Sequence, residues 1–289
     1  MALLPVEAAL ARVLSGVAPT AREQVALLDA RGRVLAEDLA ARHDQPPFDA
    51  SAMDGYAVRV VDIAQLPAEL TVIGEAAAGR GFKGVIGPGQ SVRIFTGAPV
   101  PAGADAIVIQ ENTEARDGKV TVRAGEVDTG HIRRRAFDFA AGEQRIAAGR
   151  RLDARTLTLA AAMGHARLPV RAQPRVAIIA TGDELVLPGA PVGPDQIVCS
   201  NPFGVAAMVV GAGGAPRFLG IASDQRAAIA AKLDAAADAD IVVTIGGASV
   251  GDHDLVAPVL QSRGASLDFW KIAMRPGKPL MFATHGTQR

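Results

Sequence analysis

The chain has 289 residues, 49% of them apolar, with 30 basic and 30 acidic side chains that cancel. That balance leaves no net field to draw a nucleic acid or a membrane surface. A single cysteine, Cys199, excludes an internal disulfide framework and a cysteine-rich metal centre and reads as a small buried hydrophobe.

No apolar run approaches the roughly 18–20 residues that span a bilayer. The opening "MALLPVEAALARVLSG" lacks a basic stretch and carries Glu7 early, so it reads as an amphipathic helix rather than a signal peptide. A soluble, cytoplasmic protein is the expectation. Over 3–17 the apolar residues Leu10, Val13, Leu14 and Val17 recur at helical spacing. "EQVALLDARGRVLAEDLAA" then predicts a short strand and a helical turn. Over 43–135 glycine, proline and short β-branched runs dominate, as in "LTVIGEAA", "QSVRIFTGAPV", "DAIVIQENT" and "KVTVRA". These predict a small β-rich domain. "LDARTLTLAAAMG" predicts a helix capped by Asp153 and stopped by Gly164.

From Pro174 onward strands and helices alternate. "RVAIIATG", "RFLGIA", "DIVVTIGG" and "LDFWKIAM" read as strands. Between them lie "SNPFGVAAMVVGAGG", with Ser200 as N-cap and Gly211 as stop, "SDQRAAIAAKLDAAA", capped by Ser223 or Asp224, and "DLVAPVLQSRG". Such alternation predicts βαβ units, a parallel sheet and helices on both faces. Ligands of these sheets bind at the carboxyl ends of the strands. Three turns fall there, each with an acid: "ATGDEL", "GIASDQ" and "TIGGASVGDHD".

The last of these turns combines Gly246, Gly247, Ser249 and Gly251 with Asp252 and Asp254. Glycines expose backbone N–H groups, and Ser249 adds a hydroxyl; both suit a phosphate. The two aspartates either cap the next helix or hold a hard divalent cation, which takes one or two carboxylates together with phosphate oxygens. Asp183 and Glu184 either cap a turn or line the same crevice, and Asp224 either caps its helix or joins them. In "KIAMRPGKPLMFA", Pro276, Gly277 and Pro279 present Arg275 and Lys278 on a stiff loop suited to an oxyanion. In "PPFDASAMDGYAV", Asp49, Ser51 and Asp54 flank apolar Met53 and Tyr56, and Thr96-Gly97 sits in another restrained loop. The triple arginine of "HIRRRAFD" is a solvated face or a phosphate clamp. The five histidines show no metal-ligand spacing, and only His253 is near a suspected site.

Four segments, "FDASAMDGYAV", "TGAPVPAGADAIV", "TGDEL" and "GGASVGDHD…FWKIAMRPGKPLMFA", occur in the order seen in molybdopterin molybdenumtransferases. The chain resembles the MoeA type, related to the E domains of gephyrin and plant Cnx proteins, over nearly its whole length. The resemblance implies a multidomain α/β fold. Residues 172–289 would form a three-layer αβα parallel-sheet domain (molybdopterin-binding, MogA-like), 43–135 the β-rich domain, and 1–42 with 136–171 an elongated helical and strand linker used in dimerisation. The family continues past the "KPLMFA" strand into a Gly-Leu-Pro-Gly-Asn-Pro loop and a small C-terminal β domain. This chain stops at Arg289, so that domain is expected to be absent.

The implied activity belongs to molybdenum cofactor biosynthesis. Molybdenum passes from molybdate into adenylylated molybdopterin, AMP leaves, and Mg²⁺ assists. The implied partners are a second copy of the chain, in a homodimer whose active cleft is shared between subunits, and a molybdopterin adenylyltransferase. By resemblance Asp54, Glu184, Asp224 and Asp254 act in catalysis. Asp224, Asp252 and Asp254 hold the metal. Thr96, Gly246, Gly247, Ser249, Gly251, Arg275 and Lys278 bind the pterin and molybdate; Arg275 departs from the lysine the family often has. Asp138 matches a further position on the β-rich side. Two other functions compete: a pterin-binding or dimerising scaffold without catalysis, and a nucleotide hydrolase of the competence-damage-protein type.

Overall fold

The computed structural model describes residues 3–123, 129–247 and 255–289. Its chain divides into two units, one formed by Gln24–Pro169 and the other by Met1–Glu23 together with Val170–Arg289.

The unit Gln24–Pro169 is built on a six-stranded sheet in the order Ala106–Ile109, Gly55–Val58, Gln90–Ile94, Ala68–Ala76, Lys119–Val122, Thr113–Arg116. All neighbours are antiparallel except Gln90–Ile94 and Ala68–Ala76, which run parallel. Strand periodicity sends alternate residues to opposite faces. Tyr56, Val58, Leu70, Val108 and Val120 build one core, whereas Ala57, Ala76, Val92, Ile94 and Ile107 build another. Every residue of Gly55–Val58 is buried. Gly55 has no alternative there, because a Cβ would collide with the Val108 carbonyl. The helix Ala154–Ala162 begins where its sequence says. The Asp153 carboxylate accepts from the Thr156 N–H at 2.8 Å and from its hydroxyl at 2.6 Å. Gly164, at φ +88°, follows the last turn.

In the other unit a three-stranded parallel sheet runs in the order Ala215–Ala222, Arg175–Thr181, Ile241–Ile245. The central strand is buried from Val176 to Thr181, which is why it reads as an unbroken apolar run. On one face Ala177 and Ile179 pack with Ile229 and Leu233 of the helix Arg226–Ala235 and Val259 of the helix Val256–Ser262. Phe203, on the helix Asn201–Ala212, meets Phe218 with ring centroids 5.8 Å apart. Leu219, next to Phe218, joins the first core, so alternation puts this helix on the opposite face and the layers are αβα. Ile179 is 1% exposed. Ile179→Val is expected to cost about 1 kcal/mol, seen as a lower urea midpoint at unchanged slope.

Four local expectations are corrected. The first helix is Val6–Leu14, shorter than 3–17, and turns out of the helix before Gly16 at φ +72°. In "GAGG" the stop is Gly213, at φ +95°, whose N–H reaches the Val209 and Val210 carbonyls; Gly211 stays helical, and Ser200 makes no capping bond. The helix Arg226–Ala235 starts from Gln225 without a side-chain cap, so neither Ser223 nor Asp224 serves there. The last strand, Ser266–Trp270, does not extend the parallel sheet. It pairs antiparallel with Met281–Thr284 in a separate two-stranded sheet. The connection 271–280 is shorter than the dozen or so residues a parallel crossover requires. Among the described residues no helix is long and apolar enough to cross a membrane.

Candidate functional site

The central strand Arg175–Thr181 delivers Thr181, 4% exposed, to the carboxyl edge of the sheet. Gly182 follows, and its N–H donates to the Ala222 carbonyl at the end of the neighbouring strand, 3.2 Å away. One residue on, an Asp183 carboxylate oxygen accepts the Asp224 N–H at 3.1 Å. Two strand-end turns are thereby tied together, and Asp224, freed from capping, stands beside Asp183 as a half-buried acid. Glu184 is exposed, and its carboxylate folds back over Gly182 where a Cβ would collide with it. Its carbonyl accepts the Ile197 N–H at 2.8 Å, while its carboxylate makes no hydrogen bond or ion pair with a described residue.

The third turn closes on the same point. Gly246 has φ +99°, and a Cβ there would lie 2.5 Å from the Thr181 carbonyl oxygen and 2.7 Å from its Oγ1. Gly247 follows at φ +61°. The glycines are therefore required by the backbone. The close approach seals Thr181, whose Oγ1 is buried and has no hydrogen-bond partner among the described residues. A buried hydroxyl left unpaired costs about 1–3 kcal/mol, so its place at three converging strand ends suits a donor kept for a ligand. Sequence reasoning passed over Thr181, although a lone hydroxyl ending an apolar strand was the available signal. Ser249, Gly251, Asp252, His253 and Asp254 lie outside the described residues.

Arg275 and Lys278 are exposed on the loop between Ser266–Trp270 and Met281–Thr284. The loop is closed by the Ile272 N–H to the Lys278 carbonyl at 3.0 Å, and Gly277 turns it at φ +103°. Neither cation makes an ion pair with a described residue, which leaves both for an anion. Asp183, Glu184 and Asp224 supply the hard oxygens Mg²⁺ prefers. Among the described residues no group of three or more His, Cys, Asp or Glu converges to hold a metal alone. These acids suit an open site of one or two carboxylates and do not form a closed structural centre.

In the unit Gln24–Pro169, Asp54 and Thr96, which the sequence placed in separate segments, are joined. One Asp54 oxygen accepts both the Thr96 N–H and the Thr96 hydroxyl, each at 2.7 Å. The N–H bond, then the hydroxyl bond and, more weakly, the charge of Arg93 hold the Asp54 carboxyl below its ordinary range, against a desolvation effect. Sequence reasoning missed Arg93. Its guanidinium lies over the rings of Phe95 and Tyr56, 4.7 and 5.2 Å from their centroids, and donates to the Gly55 carbonyl and Gln110 Oε1. Two of the three consecutive arginines are internally tied. Arg134 pairs with Asp49 at 2.7 Å, and Arg135 pairs with Asp44. Asp138 is exposed, and its carbonyl accepts from Arg145. Cys199 is buried, and desolvation pushes its thiol up.

Comparison with known proteins gives this geometry a context. Residues 4–164 match the family model described as the MoeA N-terminal region (domain I and II), and residues 177–289 match a probable molybdopterin binding domain. A molybdopterin molybdenumtransferase of Nostoc is 42% identical over 92% of this chain and 62% of its own length. One from Bacillus subtilis is 38% identical over 95% of this chain and 66% of its own. The solved molybdopterin biosynthesis MoeA protein of Pyrococcus horikosii superposes with a TM-score of 0.85 at 32% identity, over 99% of this chain and 73% of that one. The chain thus spans 62% and 66% of the length of these two curated relatives, less than two thirds of each. The matched models together cover nearly all of its residues, and on that ground the chain belongs to the MoeA family of molybdopterin molybdenumtransferases.

Proposed function

We propose that this chain serves molybdenum cofactor biosynthesis by inserting molybdenum from molybdate into adenylylated molybdopterin, with release of AMP and assistance from Mg²⁺. The observation that carries the reading is the knot of strand ends: Gly182 on Ala222, Asp183 on Asp224, and Gly246 against Thr181. It gathers acids, a buried hydroxyl and a close-approaching backbone at the one edge of a parallel sheet where ligands bind.

In this reading Gly246, Gly247, Ser249 and Gly251 cradle the pyrophosphate of the pterin nucleotide, with Thr181 offering its unpaired hydroxyl. Asp224, Asp252 and Asp254 would hold Mg²⁺, which when bound neutralises the departing phosphate. Glu184 orients the pterin-bearing substrate from the same edge. Arg275 and Lys278 hold molybdate, and the guanidinium fork can take two of its oxygens at once. Asp54, set by Thr96, acts in a homodimer in which the cleft is shared between subunits. The helix Asn201–Ala212 suits association, since it leaves Phe203, Met208 and Val210 at 51%, 75% and 60% exposure. A molybdopterin adenylyltransferase is the proposed supplier of the substrate, in the cytoplasm.

The test is to mix the purified protein with adenylylated molybdopterin, molybdate and Mg²⁺ and to follow AMP and pterin-bound molybdenum together. One AMP released per molybdenum inserted, with no release when molybdate is withheld, is expected. AMP release that ignores molybdate would make the chain a nucleotide hydrolase. Tight pterin binding without AMP would make it a binding module.

A further inference from the structure

Away from the strand ends, the unit Gln24–Pro169 holds a cavity of about 530 Å³ that the proposed function does not use. Arg145, Arg150 and Arg155 line it, with Ile146, Thr156 and Leu159 among the remaining wall residues, and no carboxylate belongs to its lining. Ile146 and Thr156 are buried at 5% and 7% exposure. The cavity therefore has a packed, mostly apolar floor beneath a cationic rim.

The three guanidiniums are unequally satisfied. Arg145 pairs with Glu143 at 3.1 Å and donates to the Asp138 carbonyl at 2.7 Å. Arg150 stands 3.8 Å from Asp153, too far for a good hydrogen bond. Arg155 makes no hydrogen bond or ion pair with a described residue. Its position is also locally unfavourable. It is the second residue of the helix Ala154–Ala162, whose first turn contains no acid. The helix dipole is positive there and disfavours a cation. Asp153, the nearest carboxylate, has committed its Oδ1 to the N–H and hydroxyl of Thr156. Glu143 beside Arg145, and the second Asp153 oxygen, whose charge acts on Arg150 and Arg155, offset the three guanidiniums only in part. An anion in the cavity would complete the balance.

We infer that this cavity binds a phosphate-bearing small molecule, its phosphate held by Arg150 and Arg155 and its apolar body laid over Ile146 and Leu159. Arginine forks match phosphate geometry in a way that point charges do not.

Inorganic pyrophosphate, titrated calorimetrically into the intact protein without divalent cations, tests the inference. Saturable binding is expected for the parent. Arg155→Gln should weaken it about tenfold, the loss of one charge-assisted contact, and Arg150→Gln with Arg155→Gln should weaken it further. Arg155→Lys, which keeps the charge and loses the fork, should fall between. Arg155 is exposed, so these variants should unfold at the parental temperature, and Arg155→Lys supplies the reading if Arg155→Gln does not fold. No binding by the parent overturns the inference. So does affinity that follows Lys278→Gln and ignores the Arg155 variants, because the anion then sits on the other loop. A change of sedimentation in the arginine variants with pyrophosphate affinity intact overturns it in favour of a contact between copies.

Discussion

Gly246→Ala is expected to destabilise the protein by about 2–5 kcal/mol, read as a lower urea midpoint. Two costs add. The residue sits at φ +99°, where a side chain is strained whatever the space around it. The new methyl would also lie 2.5 Å from the Thr181 carbonyl oxygen and 2.7 Å from Oγ1. Thr181 cannot retreat. It ends the central strand, paired with Ala222 on one side, while its neighbour Ala180 is paired with Ile245 on the other. Gly211→Ala is the matched control. Gly211 lies inside the helix Asn201–Ala212, and its added Cβ meets nothing within 4 Å. That substitution should stabilise by about 0.5–1 kcal/mol through helix propensity and the restriction of the unfolded chain. Equal stability changes for the two variants would show that the third turn does not press on Thr181.

Under the proposed function, Asp54→Ala is expected to lower the rate of molybdenum insertion about a hundredfold, the size of a lost, positioned acid or base. Thr96→Ala should cost less, and the double variant should be no worse than Asp54→Ala alone. Thr96 makes two bonds to a single Asp54 oxygen, so on the proposed reading, once that carboxylate is gone there is nothing left for Thr96 to orient. A double variant whose loss is the sum of the two singles would separate the residues. The pH dependence has a definite sign. Because Thr96 holds the Asp54 carboxyl below its ordinary value, the bonded, ionised state is fully present above about pH 4 and fades only as pH falls through the lowered folded value. Between pH 5 and 7, therefore, no part of any change in rate should trace to Asp54, and the profile of Thr96→Ala should move its acid limb upward.

The local features of this fold were largely legible. Asp153 and Gly164 bracket their helix because a cap and a left-handed glycine act within a few residues of themselves. The apolar run at 175–181 is a buried central strand for the same reason of pattern. What the sequence concealed is set at long range. Asp224 resembles a cap, yet its N–H is claimed by Asp183, 41 positions earlier. Asp54 and Thr96, 42 positions apart, gave separate signals with no sign of their bond. The direction of Ser266–Trp270 hung on which strand it would meet, and periodicity is the same for parallel and antiparallel partners. Arg93 was invisible as a site residue because a half-buried arginine in a strand acquires meaning only from the two rings it stacks upon.

The way the two units share the chain bears on how the protein is made. Gln24–Pro169 is one unbroken stretch, whereas its companion is assembled from Met1–Glu23 and Val170–Arg289. Domains fold as units during synthesis, earlier ones first. Here Met1–Glu23 is made before the contiguous unit, and the stretch that completes its own unit, Val170–Arg289, is made after it. Its amphipathic helix Val6–Leu14, with Leu10 and Leu14 at 56% and 58% exposure even in the finished fold, must wait for Phe269 and Ile272, the residues Ala9 packs against. The six-stranded sheet can close in the meantime. The nascent chain thus carries the apolar face of Val6–Leu14 uncovered while the whole of Gln24–Pro169 is made, and that face is where a chaperone would find its grip.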